Sequence, residues 1–172
     1  MPKNLEGYVA KILEEAKDFL RNNFPEYYEE PDVKIKVKYR NKKLSFDYRA
    51  GYNEKTKEIT IISYEKKKEP KDDDIITNEF KLRMKRKNTY LVSIIHEIAE
   101  AQYMNAVTSR NFPLTYYDIT TSHEIAISLE LHALKKLIEQ SEGQDKEEFI
   151  KRKEAREKEL KKREKIFKLR GV

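Results

Sequence analysis

No feature of the chain restricts its fold as much as residues 90–104, which read YLVSIIHEIAEAQYM. Stepping about 100° per residue around a helix from His96 puts Glu100 at about 40°, Ser93 at about 60° and Glu97 at about 100°, so the polar groups share one sector. Leu91, Val92, Ile94, Ile95, Ile98, Ala99, Ala101 and Tyr103 line the rest. A helix that is apolar nearly all round is stable only when other elements surround it, and its polar sector must then face inward or into a cleft. An imidazole and two carboxylates buried there without partners would be strongly destabilising. A divalent cation satisfies them directly, because His96 and Glu100, at i and i+4, lie one turn apart on one face. The competing reading is a surface His–Glu pair, with Glu100 bonded to a lysine.

The other two histidines, His123 and His132, follow within the next helical segment, TTSHEIAISLELHALKKLIE, and no histidine precedes Tyr90. With His123 as origin, Ala126, Ile127, Leu134, Leu137 and Ile138 centre near His123 itself, and Glu130 falls at about −20°. Lys135, Lys136, Glu139, Ser128 and His132 lie opposite. His123 and Glu130 are therefore predicted to point into the core and His132 to water. Glu124 competes with His123 as a third ligand. Thr121, three residues before it, gives Glu124 a second reading as part of a capping box at the start of a helix over 122–140.

The remaining chain supplies the frame. Leu5, Tyr8, Val9, Ile12, Leu13, Ala16, Phe19 and Leu20 recur at helical spacing, with Asn4 as N-cap and Pro25 and Pro31 closing the segment. Val33, Ile35, Val37 and Tyr39 alternate with charged residues, as do Leu44, Phe46 and Tyr48 after a turn at 41–43, which predicts a hairpin. A third strand is expected over 58–63, after a turn containing Gly51 and Asn53. Residues 65–74 read as loop and 77–87 as helix on composition, although Phe80, Leu82 and Met84 alternate. Asn88 or Thr89 caps the helix that carries His96 and runs to about Asn105, and Gly143 ends the second. The fold class is α+β: an N-terminal helix, a small, mainly antiparallel sheet of about three to four strands, a motif helix, a ligand helix and a long charged C-terminal helix. Residues 1–143 form the metal-binding domain and 144–172 a charged helical tail.

Composition removes several function classes. Without cysteine there are no disulfides, thiolate metal sites or cysteine nucleophiles. No run approaches the roughly 20 apolar residues of a membrane span. The first twenty residues carry acids through their apolar stretch and lack a small-residue cleavage site, unlike a signal peptide, so a cytoplasmic location is expected. Abundant Lys, Glu, Ile and Tyr without Trp or Cys resembles a thermophile composition. Neither a GxSxG elbow nor a GxxxxGK[ST] or GxGxxG phosphate loop is present, and the chain has four glycines in all. Of the formal net charge of +6, most lies in residues 144–172, which hold twelve basic and seven acidic residues. That tail reads either as a solvated helix laced by i, i+4 ion pairs or as a handle for nucleic acid or an acidic protein partner.

The pair of segments IIHEIAEA and SHEIAISLE, within residues 90–132, resembles the active helices of zincin-type metallopeptidases. In that family HExxH supplies two histidine ligands and a general base, and a later helix supplies the third ligand. The resemblance implies that His96 is a ligand, that Glu97 is the base activating a metal-bound water, and that His123 or Glu124 is the third ligand. The order of elements is also similar to a minimal zincin fold. This sequence departs from the pattern in placing Glu100 where the second histidine stands, giving HExxE. The added carboxylate weakens the Lewis acidity of zinc and admits harder ions such as manganese or iron. Four core helices bearing Glu-x-x-His pairs, the frame of a two-metal carboxylate site, conflict with the strands. The expectation is thus one divalent metal, zinc before manganese or iron, held by His96, Glu100 and His123, with Glu130 behind them or as a fourth ligand. The protein would be a hydrolase acting on a peptide or protein; the alternative is a non-catalytic protein that binds nucleic acid or a protein through its tail.

Overall fold

A computed structural model describes residues 5–26, 28–39, 50–63, 87–109 and 115–169. The elements run α1 (Leu5–Asn23), β1 (Lys34–Tyr39), β2 (Ala50–Asn53), β3 (Glu58–Ser63), α2 (Lys87–Thr108), α3 (Tyr116–Gln140) and α4 (Gly143–Leu169). This is the expected α+β arrangement, with a small sheet among helices and a long charged helix at the end.

Helix α1 buries Val9, Ile12, Leu13, Ala16 and Leu20, the stripe that its i, i+3 and i+4 spacing predicts. It stops where Asn23 Nδ2 donates to the Phe19 carbonyl at 2.9 Å, two residues before Pro25. Asn4 lies outside the described residues. In the sheet the order is β1-β3-β2. Strand β3 takes the centre because Ile59 and Ile61 are fully buried, and it pairs in parallel with β1 (Ile35 with Ile59, Val37 with Ile61) and antiparallel with β2 (Ala50 with Ile61, Tyr52 with Ile59). The three-stranded sheet is therefore mixed.

One local expectation is corrected here. Gly51 and Asn53 lie within β2 rather than in a turn, and the turn falls at residues 54–57. There Asn53 Oδ1 accepts from the backbone N–H groups of Lys55 and Thr56 at 3.0 and 3.2 Å, and Lys57 adopts a left-handed φ of 52°. Among the described residues β1 pairs with β3, in parallel, and the segment expected as its hairpin mate lies outside them. The strand expected at Leu44, Phe46 and Tyr48, the loop over 65–74 and the helix expected over 77–86 lie outside the described residues.

Helix α2 is the centre of the molecule. Every residue from 90 to 99 is buried, as are Ala101 and Met104, and α1, β2, β3 and α3 all pack against it. Ile94, Ile95 and Ile98 are fully buried, each contributing about 1.5–3 kcal/mol of burial free energy. Asn88 and Thr89, expected as caps, sit inside the first turn instead. The Asn88 side chain donates across to Asp145 and Glu148 of α4 at 2.9 and 3.1 Å.

Helix α3 begins six residues before the expected start. Its N-cap is Thr115, whose Oγ1 accepts from the Asp118 N–H at 3.2 Å while Asp118 Oδ2 accepts from the Thr115 N–H at 2.8 Å. Thr121 and Glu124 thus lie inside the helix and do not cap it. The buried face of α3 comprises Ser122, Ala126, Ile127, Glu130, Ala133, Leu134 and Leu137, at helical spacing. Gly143, with φ of 57°, stands at the first position of α4 rather than directly closing α3, which ends at Gln140. Helix α4 inserts Phe149 into the core and lies along α3. No described helix is long and apolar enough to cross a membrane.

Candidate metal centre

Three side chains from α2 and α3 converge. His96 is buried, while Glu100, one turn further along α2, and His123, facing them from α3, keep side-chain exposures of 15% and 27%. His96 Nε2 stands 3.1 Å from His123 Nδ1 and 3.3 Å from Glu100 Oε1, and that same oxygen lies 2.7 Å from His123 Nδ1. The two imidazoles meet edge to face, with planes 72° apart. Ligand atoms bound tetrahedrally at about 2.0–2.1 Å from a zinc ion are separated by about 3.3 Å, which the two distances from His96 approach, while the 2.7 Å between Glu100 and His123 is about 0.6 Å shorter. His96, Glu100 and His123 form a cluster able to coordinate a metal ion.

No protein-family model, curated protein or solved structure matches the chain. The chemistry has to be read from the geometry itself.

Behind His96 lies Glu130, fully buried on the opposite edge of the ring from Glu100 and His123. His96 Nδ1 is 2.9 Å from Glu130 Oε2. Arg152 Nε donates to Glu130 Oε1 at 2.9 Å, and Arg156 Nε donates to Oε2 and Oε1 at 2.9 and 3.0 Å. Burial alone would raise the Glu130 pKa, but its bond to His96 and the charges of Arg152 and Arg156 hold it down at about 2. A carboxylate kept ionised can only accept, so Nδ1 carries the hydrogen in this contact and Nε2 faces Glu100 and His123. For Glu100 too burial raises the pKa, and hydrogen bonds with His123 and His96 lower it to about 2. His96 responds oppositely: burial opposes its charge, and the bonds with Glu100 and Glu130 outweigh this and raise it to about 9. In the metal-free chain a second proton on this ring balances two carboxylates, a task for which an ion is the alternative.

Glu97 is buried and its Oε2 has no hydrogen-bond partner among the described residues. Burial first, then the charge of Glu100, pushes it up to about 7, against the attraction of His96 and a hydrogen bond from the Tyr52 backbone. Strand β2 therefore borders this carboxyl. Glu124 is half-buried and is not among the converging groups. His132 is exposed and its Nδ1 lies 2.8 Å from the Ser128 carbonyl of its own helix, so its outward orientation holds as expected.

Sequence reasoning did not single out Arg152 and Arg156. A basic run reads as solvated surface, and these two were absorbed into it. The available signal was Glu130 on the apolar face of α3, since a fully buried carboxylate requires a cation from somewhere. Phe149, Arg152 and Arg156 recur at i, i+3 and i+7 and so share one side of α4.

Proposed function

We propose that the chain is a metal-dependent hydrolase, of peptidase type, in which His96, Glu100 and His123 hold one divalent ion and Glu97 is the general base. The observation that carries this reading is the count of converging groups. Structural zinc sites are closed by four protein ligands, whereas catalytic sites take three and keep a position open. Among the described residues three ligand atoms converge, and the two with partial exposure, on Glu100 and His123, mark the side from which a substrate would reach them.

An ion so held would lower the pKa of a water in the open position and polarise a substrate carbonyl, with zinc favoured by the two imidazoles and manganese or iron admitted by the carboxylate. Glu97, with its unpartnered buried oxygen, takes a proton from the attacking water and passes it to the leaving amine. Glu130 holds His96 in orientation from behind. The HExxE helix followed by a histidine-bearing helix supports the same reading through its resemblance to zincin-type metallopeptidases, and makes peptides or proteins the substrate class.

Two measurements test this. Elemental analysis of the purified chain is expected to find one equivalent of zinc, manganese or iron, and a chain that takes up none of them removes the proposal. Replacement Glu97→Gln is expected to abolish hydrolysis of peptide substrates while the metal content stays at one equivalent. Loss of metal in that variant would make Glu97 a ligand rather than the base.

A further inference from the structure

Glu130 makes four polar contacts and is fully buried, and three of the four come from α4 rather than from the helices that carry the converging ligands. The Arg156 side chain, 17% exposed, spans both Glu130 oxygens through Nε and is itself tied to Glu159 through Nη1. Arg152, 31% exposed, reinforces Oε1 from one turn earlier. The two guanidiniums hold the Glu130 carboxylate in place, and its Oε2, 2.9 Å from His96 Nδ1, accepts the hydrogen there and turns Nε2 toward Glu100 and His123. A histidine whose other nitrogen is bonded to a carboxylate is oriented and made a stronger donor to a metal.

We propose that Arg156, seconded by Arg152, is a positioning residue of the metal centre: clamped on Glu130, it fixes His96 in the tautomer and orientation that present Nε2 to the ion. Helix α4 is then a working part of the site, and the basic residues at 152 and 156 serve the centre rather than an external anion. The inference rests on the reading of His96, Glu100 and His123 as metal ligands.

A double-mutant cycle on the full-length chain tests it, with the zinc dissociation constant measured by competition against a chromogenic chelator. Arg156→Met keeps the length of the aliphatic stem and removes the guanidinium; it is expected to weaken zinc binding about tenfold, at the lower end of what loss of a ligand-supporting contact costs. Glu130→Gln is also expected to weaken it. If Arg156 acts through Glu130, the double variant binds no more weakly than Glu130→Gln alone, whereas a merely structural contribution of α4 would persist and add. Equal affinity in the wild type and Arg156→Met, or additive losses in the double variant, overturns the inference while leaving the metal centre standing. A wild-type chain that binds none of zinc, manganese and iron overturns both. Circular dichroism of the metal-free proteins checks folding. Should Arg156→Met unfold, Arg152→Met takes its place in the cycle with the same expectation and the same refuting outcomes.

Discussion

Zinc should stabilise this chain measurably, and His123 should account for the effect. Of the three proposed ligands His123 is best suited to removal, since it is a quarter exposed and its ring approaches Glu100 and His96. His123→Ala therefore forfeits about one hydrogen bond and costs the metal-free protein about 1 kcal/mol. Its effect on the metal-bound state is larger, because two ligands on one helix remain where three had closed a face. At a hundredfold excess of free zinc over its dissociation constant, binding adds about 2.7 kcal/mol to the native state. A chain of this size gains about 2–4 °C in Tm per kcal/mol, which makes a shift of about 5–11 °C. Differential scanning fluorimetry with zinc and with a chelator measures it. The expected result is a shift in that range for the wild type and one of under about 2 °C for His123→Ala at the same zinc concentration. Equal shifts in the two proteins would refute the reasoning, as would a wild-type melting curve indifferent to zinc.

Two further outcomes concern the frame. Thr115→Ala removes the side-chain acceptor of the Asp118 N–H and should cost about 1 kcal/mol in urea denaturation, whereas Thr121→Ala, inside α3, should cost less; the reverse ranking would put the helix start back at residue 122. Glu30 accepts from Arg21 and Tyr28 at 2.8 Å each and pairs with Lys17 at 3.0 Å, and these bonds, Arg21 first, hold its pKa down to about 2. A depressed carboxylate contributes stability above its unfolded pKa of about 4.3 and loses it as the pH falls toward 2. The stability gap between wild type and Glu30→Gln should accordingly be small but present at pH 6, given the exposure of the pair, and close in acid; a gap constant from pH 6 to 2 would contradict the assignment.

The parts of this structure legible in the sequence are those governed by local periodicity. The burial of α2 on every side followed from residues 90–104, and the inward turn of His123 and Glu130 and the outward turn of His132 from the spacing of residues 121–140. The start of α3 was misplaced because Thr121 and Glu124 imitate a capping box, while the true box at Thr115 and Asp118 precedes residues without an apolar stripe: Tyr117 and Ile119 are exposed. Strand β2 was hidden because Gly51 and Asn53 have turn chemistry, and only pairing with Thr60 and Glu58 on β3 makes them extended. The parallel match of β1 with β3 depends on contacts between distant parts of the chain, for which no local spacing gives a sign. At the site, the convergence of His96, Glu100 and His123 was foreseeable from two helical wheels, but the arginine clamp was not, because it requires knowing which face of α4 meets α3.

The converging groups come from two helices that lie side by side, His96 and Glu100 on one and His123 on the other. Sliding α3 along α2 by a single turn displaces His123 by about 5.4 Å, well beyond the spread of the three donor atoms. If the three hold an ion, its uptake would gauge interhelical register: a variant in which the two rods seat one notch apart would keep its helicity and much of its apolar contact, yet would be left with His96 and Glu100 alone to grasp a cation.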